Sequence, residues 1–215
     1  MTPLQPQLDA IRTDFEPKVP PEVLAVMHRA NDDLVDQGSR AVPLGSTLPS
    51  FELSSSTGTA VRSDDLLAGG PLVISMFRGA WCPYCMAEMA ALNEALPDIR
   101  RAGAEVVVIT PQRAELSATM KQEKGLDLNV LSDPGLRYAD ALGLAYTLPD
   151  DLVAIYTKFG LDVPGTNGAD EWRLPIPARL VVASDGTIVE RDVNPDYTIR
   201  PEPEATLAAV RRITA

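Results

Sequence analysis

The runs Leu72–Phe77 and Val106–Ile109 are continuous apolar stretches of strand length. A strand with one wet face alternates apolar and polar side chains, so a run without alternation belongs in the middle of a sheet covered on both faces. Segments with helical spacing follow. Met86, Met89, Leu92, Leu96 and Ile99 recur on one side of a helix that begins near Pro83 and that Gly103 stops. Pro97 is expected to kink or break it near Leu96, because proline lacks the N–H that a helix interior uses. Glu105–Thr110 then reads as a buried strand, Ala114–Lys124 as a helix, Leu128–Leu131 as a short strand, and Tyr138–Leu142 and Asp151–Phe159 as short helices. Arg179–Ala183 and Thr187–Asp192 are strands joined by the turn residues Ser184-Asp185-Gly186, and Glu204–Ile213 is a closing helix. This order is that of an α/β layered fold with a central mixed sheet, flanked by helices, whose last two strands are antiparallel.

Ahead of the sheet, Leu4–Gln37 reads as helices broken at Pro17 and Pro20-Pro21, with Gly38 ending the second. Ala41–Ser50 is a linker, and Phe51–Leu53 with Thr59–Arg62 form a small hairpin around Thr57-Gly58. The expected organisation is an N-terminal helical extension over residues 1–40 and a main domain over 46–215. Residues 145–175 insert into the latter, carrying Tyr146, Tyr156, Phe159 and Trp172. Insertions this long often wall an active site. The N-terminal helices either cover an edge of their own domain or embrace a second subunit, which leaves a homodimer open.

Charge narrows the partners. With 19 Lys and Arg against 30 Asp and Glu, the chain carries a net −11, which repels phosphate backbones and anionic lipid. Nucleic acid and membrane surfaces are not expected partners. The N-terminus shows no basic segment followed by an apolar one, and no apolar run nears the roughly 20 residues that cross a bilayer. A cytoplasmic location is the expectation, where thiols stay reduced unless they are catalytic or sensing. Two cysteines and the single His28 are too few for a disulfide scaffold or a four-ligand zinc site, so no metal and no cofactor is expected. His28 is read as a structural or surface residue.

The two cysteines stand as Cys82-Pro83-Tyr84-Cys85. Two cysteines placed at random in a chain of this length would fall three apart in about one arrangement in a hundred. The tetrapeptide follows a buried strand and opens a helix. There the free amides and the dipole favour a thiolate at Cys82, and Pro83 suits the first helical position. An exposed Cys82 thiolate would attack an electrophilic sulfur or a peroxide oxygen, and Cys85 would resolve the product as an intramolecular disulfide. Arg78, four residues earlier, would add positive charge. Glu88, one turn beyond Cys85, is either a proton relay or, as is usual for a helix glutamate, a solvated surface residue.

Set in this order of strands and helices, the sequence resembles the thioredoxin-like superfamily, and within it the peroxiredoxin-like alkyl hydroperoxide reductase and thiol-specific antioxidant (AhpC/TSA) group. The residues that carry the resemblance are Phe77-Arg78-Gly79-Ala80-Trp81-Cys82-Pro83-Tyr84-Cys85, Gly103–Ile109, Leu131-Ser132-Asp133-Pro134, and Pro175–Val182 with Asp185-Gly186. They span about Ser46 to Ala215, and the N-terminal helices resemble an extension seen in one bacterial branch of the group. The resemblance implies an antioxidant thiol-disulfide oxidoreductase. Its Cys82/Cys85 pair would reduce a hydroperoxide or a disulfide at the expense of a thiol reductant such as thioredoxin or glutathione. It further implies a cis bond before Pro177 beside the Cys82 sulfur and a free backbone edge at Ile176, so that Trp81, Pro83, Tyr84, Ile176 and Pro177 line a substrate or partner groove. Cys-Pro-Tyr-Cys also matches the glutaredoxin motif. Three positions depart from relatives. Gly79 stands where peroxiredoxins carry the site hydroxyl, Pro177 where they carry a strand arginine, and Met76 where thioredoxins carry a buried acid. Arg78 and Arg179 are candidates for the missing guanidinium, and the proton acceptor for Cys85 stays unassigned. A dedicated thioredoxin-dependent peroxidase and a non-catalytic redox-sensing binding module are the alternatives.

Overall fold

The computed structural model describes residues 2–214. Three helices open the chain, α1 (Gln5–Phe15), α2 (Pro21–Asp32) and α3 (Val35–Arg40). The main domain then runs β1 (Glu52–Ser55), β2 (Ala60–Arg62), α4 (Ser63–Ala68), β3 (Leu72–Met76), α5 (Pro83–Arg101), β4 (Glu105–Thr110), α6 (Ala114–Lys124), β5 (Asn129–Ser132) and α7 (Arg137–Ala141). After these come β6 (Ala145–Thr147), α8 (Asp150–Lys158), α9 (Val163–Asn167), β7 (Arg173–Pro175), β8 (Ala178–Val182), β9 (Ile188–Val193) and α10 (Pro203–Thr214).

Seven strands form one mixed sheet in the order β2-β1-β5-β4-β3-β8-β9, and β6 pairs with β7 apart from it. β3, β4 and β5 are parallel, while β8 runs antiparallel to β3 and β9 to β8. The unalternating run takes the middle: Leu72 pairs with Glu105 on one side and Val182 on the other, and all five residues of β3 are buried. Its alternate residues serve two cores. Val73, with Val106, Val108 and Val181, meets Met89, Leu92 and Ile99 of α5 and Val210 of α10, while Leu72, Ile74 and Met76 face the side closed by Tyr138 and Leu142.

Two expectations of local structure are corrected. Helix α5 runs unbroken through Pro97. Pro97 lies on the exposed face, and Leu92, Leu96 and Ile99 hold both halves of the helix to the sheet. Gly38 does not end the second helix: α2 stops at Asp32, and α3 passes through Gly38. Pro195 packs so closely there that a Cβ on Gly38 would lie 3.0 Å from its Cγ.

The N-terminal helices cover their own chain. Leu4, just before α1, and Leu8 within it join the core beneath α5, and the amides of Leu4 and Gln5 at the start of α1 donate to the Glu202 carboxylate at 2.8 Å each. A carboxylate at a helix N-terminus satisfies both the unpaired donors and the dipole. Met27 and Ala30 of α2 pack with Leu152 and Ile155 of α8. Among the described residues, no helix is long and apolar enough to cross a membrane.

Candidate active site

Cys82 is the N-cap of α5. Its backbone is extended, its Sγ accepts the Cys85 N–H at 3.4 Å, and Pro83 occupies the first helical position. Both cysteines are free thiols, and neither has any exposed surface. The expected exposed position of Cys82 is therefore corrected: the helix start is as foreseen, but other elements cover it.

Arg78 is the nearest cover. It is buried, its Nη2 donates to Cys82 Sγ at 3.3 Å, and its Nη1 donates to the Tyr156 hydroxyl at 3.1 Å. Its guanidinium lies 3.8 Å from the ring centre of Tyr197 and 5.2 Å from that of Trp81, a stacking that lets a desolvated arginine keep its charge. Trp81 meets Tyr156 edge-on at 5.8 Å, and Tyr84 meets Tyr197 at 5.6 Å. The insertion thus supplies one wall of the site through α8. Arg78, Trp81, Pro83, Tyr84, Tyr156 and Tyr197 border a cavity of about 150 Å³ that also reaches the N-terminal helices at Phe15 and Met27. Pro83 is exposed, Trp81 half-buried and Tyr84 buried. Burial and the nearby Glu16 carboxylate push the Tyr84 phenol up to about 12.

Two features fix the loop that carries Arg78. A Cβ on Gly79 would lie 2.5 Å from Trp81 Nε1, so only glycine admits the indole there. The Ala80 N–H donates at 2.9 Å to Oε1 of Gln112, a fully buried residue that follows β4 and whose Nε2 donates to Ser117.

Beneath Cys85 lies a buried ion cluster. Glu88 is 1% exposed, which corrects the default reading of a solvated glutamate. Its carboxylate accepts from the Ser75 hydroxyl at 3.0 Å, from Arg179 at 2.7 Å and from Arg200 Nε at 2.7 Å. Arg200 Nη2 also reaches Cys85 Sγ at 3.7 Å. Two cations repay the desolvation of one carboxylate, and Arg179, one candidate for the missing guanidinium, is committed to Glu88, Thr206 and the Pro201 carbonyl.

These neighbours split the two thiols. Burial alone would raise Cys82, but the Cys85 hydrogen bond and the Arg78 and Arg200 charges outweigh it and hold its thiol well below the ordinary value. Cys85 is pushed well above that value by burial and by the adjacent Cys82, against which Arg200 and Arg78 act more weakly. Burial would also raise Glu88, but Arg179 and Arg200 keep it below the usual carboxylate range. The arrangement is a thiol held low beside a cation and an aromatic cavity, with a second thiol held high one turn away.

Ile176 and Pro177 do not form the expected edge. No peptide bond among the described residues is cis. The Ile176 N–H donates to the Leu144 carbonyl at 2.7 Å, and both residues are buried. The antiparallel β6/β7 pair reaches the end of β7 with Ala145 opposite Pro175, so the backbone expected to be free is already paired. His28 is exposed, its Nε2 3.9 Å from Glu16. Sequence reasoning missed Arg200, Tyr197 and Gln112, which stand in connecting segments with no local pattern to mark them.

The AhpC/TSA family model matches residues 44–191. A thiol-disulfide oxidoreductase ResA of Geobacillus thermodenitrificans is 31% identical over 105 residues, 48% of this chain and 59% of that protein. A peroxiredoxin of Schizosaccharomyces pombe is 26% identical over 123 residues, 56% of this chain and 62% of that protein. The matched stretch thus spans less than two thirds of either relative. Among solved structures, a peroxidoxin of Mycobacterium tuberculosis superposes with a TM-score of 0.63 at 21% identity, covering 80% of this chain and 98% of that one. Peroxiredoxin Q of Xanthomonas campestris gives 0.59 at 18% identity, covering 77% and 92%. At these identities the likeness is one of fold, and the fold is the thioredoxin-like fold of peroxiredoxins.

Proposed function

We propose that this chain, which belongs to the AhpC/TSA family, is a thiol-dependent oxidoreductase in which Cys82 attacks and Cys85 resolves. The observation that carries the reading is the 3.3 Å contact of Arg78 Nη2 with Cys82 Sγ, on a thiol held low beside a second thiol held high. A thiolate next to a fixed cation is the nucleophile that both candidate reactions need. With a hydroperoxide, Cys82 sulfur attacks the outer peroxide oxygen and the O–O bond breaks. The attacked oxygen keeps its hydrogen, so Cys82 becomes a sulfenic acid, and the alkoxide takes from solvent the equivalent of the proton that the Cys82 thiol had released and leaves as the alcohol. Cys85 sulfur then displaces hydroxide from it, the Cys85 proton leaving with the hydroxide as water, and the disulfide forms. With a disulfide substrate, Cys82 forms a mixed disulfide, and Cys85 displaces the second thiol. Either cycle closes when two equivalents of thiol, from thioredoxin or glutathione, reduce the Cys82–Cys85 bond.

Arg78 would take the charge-stabilising place of the missing strand arginine, since Arg179 is held by Glu88. Among the described residues Glu88 reaches Cys85 through Arg200, which supports a positioning role for it in the resolving step. The cavity bounded by Trp81, Pro83, Tyr84 and Tyr156 replaces the Ile176 edge as the approach to Cys82. The cycle is assigned to a reducing compartment such as the cytoplasm, where a dithiol is regenerated, and N-terminal helices laid on their own chain fit a monomer as well as a homodimer.

The test compares wild type, Cys82→Ser and Cys85→Ser for consumption of a hydroperoxide and of a disulfide, each with a thiol reductant. Loss of both activities in Cys82→Ser, with mixed disulfide or sulfenic acid trapped in Cys85→Ser, is the expected result. Full activity in Cys82→Ser would refute the assignment of the nucleophile.

A further inference from the structure

Gln112 faces two sites. Besides holding Ala80, it borders an open groove of about 860 Å³ between the start of α6, the end of β5 and the end of α9. Two polar groups lining this groove are unsatisfied. Ser132 is 6% exposed and Asn167 3% exposed, and among the described residues neither the Ser132 hydroxyl nor Asn167 Oδ1 has a hydrogen-bond partner. Buried groups of this kind are as a rule matched by something, because leaving them unpaired costs stability. Asn167 Nδ2 donates to the Arg173 carbonyl at 3.3 Å, which fixes the amide and leaves its Oδ1 without a donor.

The remaining walls favour an anion. Helix α6 has no side-chain cap, and its first bonded amides, Leu116 and Ser117, both donate to the Arg113 carbonyl. The amides of Ala114 and Glu115 precede them without a helical partner, at the positive end of the dipole. Arg113 and Arg137 also line the groove. The carboxylates there are engaged: Glu52 with Arg62, Glu115 with Arg113, and both oxygens of Asp133 with the amides of Tyr138 and Ala139.

We propose that this groove binds a small phosphorylated, hydroxyl-bearing metabolite. The phosphate sits on the α6 amides, Arg137 and the Ser132 hydroxyl, and a hydroxyl of the same molecule donates to Asn167 Oδ1. A helix N-terminus with a guanidinium suits the phosphate, and the volume suits a sugar phosphate or mononucleotide. The lining of this groove contains neither cysteine.

Titration calorimetry of the full reduced chain with ribose 5-phosphate, and separately with inorganic phosphate, tests it. Saturable one-site binding of ribose 5-phosphate is expected, with inorganic phosphate weaker by about tenfold or more for want of the Asn167 contact. Ser132→Ala removes a hydroxyl that has no hydrogen-bond partner among the described residues, so the variant keeps its fold and should weaken ribose 5-phosphate by about tenfold, as should Arg137→Gln. Amide NMR shifts at Ala114 and Glu115 should move on titration. No saturable binding, equal affinity for the two probes, unaltered binding in both variants, or shifts confined to other residues would each overturn the proposal.

Discussion

Replacing Arg78 by Met tests whether its guanidinium makes Cys82 a thiolate. Methionine keeps much of the apolar stem among Trp81, Tyr156 and Tyr197 and removes the charge. The cation stands 3.3 Å from the sulfur. At an effective dielectric of about 20, opposite unit charges that close attract by about 5 kcal/mol. Water entering the vacated space and relaxation of the thiolate recover part of this, so about 2–3 kcal/mol is the expected net loss, roughly a hundredfold in the acid dissociation constant. Burial, which raises the thiol, is then opposed only by the hydrogen bond from position 85 and by Arg200. Ultraviolet thiolate absorbance followed against pH in a Cys85→Ser background reads one thiol directly, without asking a reagent to enter a buried site. In that background the Arg78→Met variant should develop its absorbance about two pH values higher, and Arg78→Lys should restore most of the difference. Coincident titration curves with and without Arg78 would refute the reasoning and move the source of the thiolate to Arg200 and the helix start.

Gly79→Ala forces its Cβ to 2.5 Å from Trp81 Nε1 unless the indole moves, so it should cost about 1–3 kcal/mol in urea denaturation and speed alkylation of Cys82 by a bulky reagent. An unchanged midpoint and rate would contradict the close packing. Glu88→Gln leaves Arg179 and Arg200 buried without their counter-charge and should cost about 3–5 kcal/mol at neutral pH. The sign with pH follows from a carboxyl held below its unfolded value: its stabilisation is present above the usual carboxylate range and is lost as pH falls through the folded value. The gap between wild type and Glu88→Gln should therefore narrow on acidification, and a constant gap would show that Glu88 is not ionised in the fold. Asp133→Ala removes the acceptors of the Tyr138 and Ala139 amides at the start of α7 and should cost about 1–2 kcal/mol, measured by the same denaturation.

What could be read from the sequence was what neighbouring residues decide. β4 and α6 begin and end where the unalternating run and the helical spacing place them, and the Cys-Pro start of α5 follows from an unbonded first turn. Pro97 misled because the rule concerns one lost bond, while burial of Leu92, Leu96 and Ile99 acts over the whole helix. Ile176 misled because its partner is Leu144, brought in by an antiparallel strand pair whose members lie far apart in the chain. Glu88 shows the division most clearly. Its spacing from Cys85 was visible, but its ionisation depends on Arg179 and Arg200, 91 and 112 residues further on. The same holds for the cover over Cys82, since Tyr156 lies 78 residues beyond Arg78. The cysteine motif thus names the atoms proposed to react, and side chains both near and distant, Arg78 and Arg200 among them, shift their protonation. The same motif at the same junction, without Arg78 and Arg200, would present two buried thiols with burial as the dominant influence, and burial alone raises a thiol. The redox chemistry proposed for this chain therefore rests as much on its two arginines as on its two cysteines.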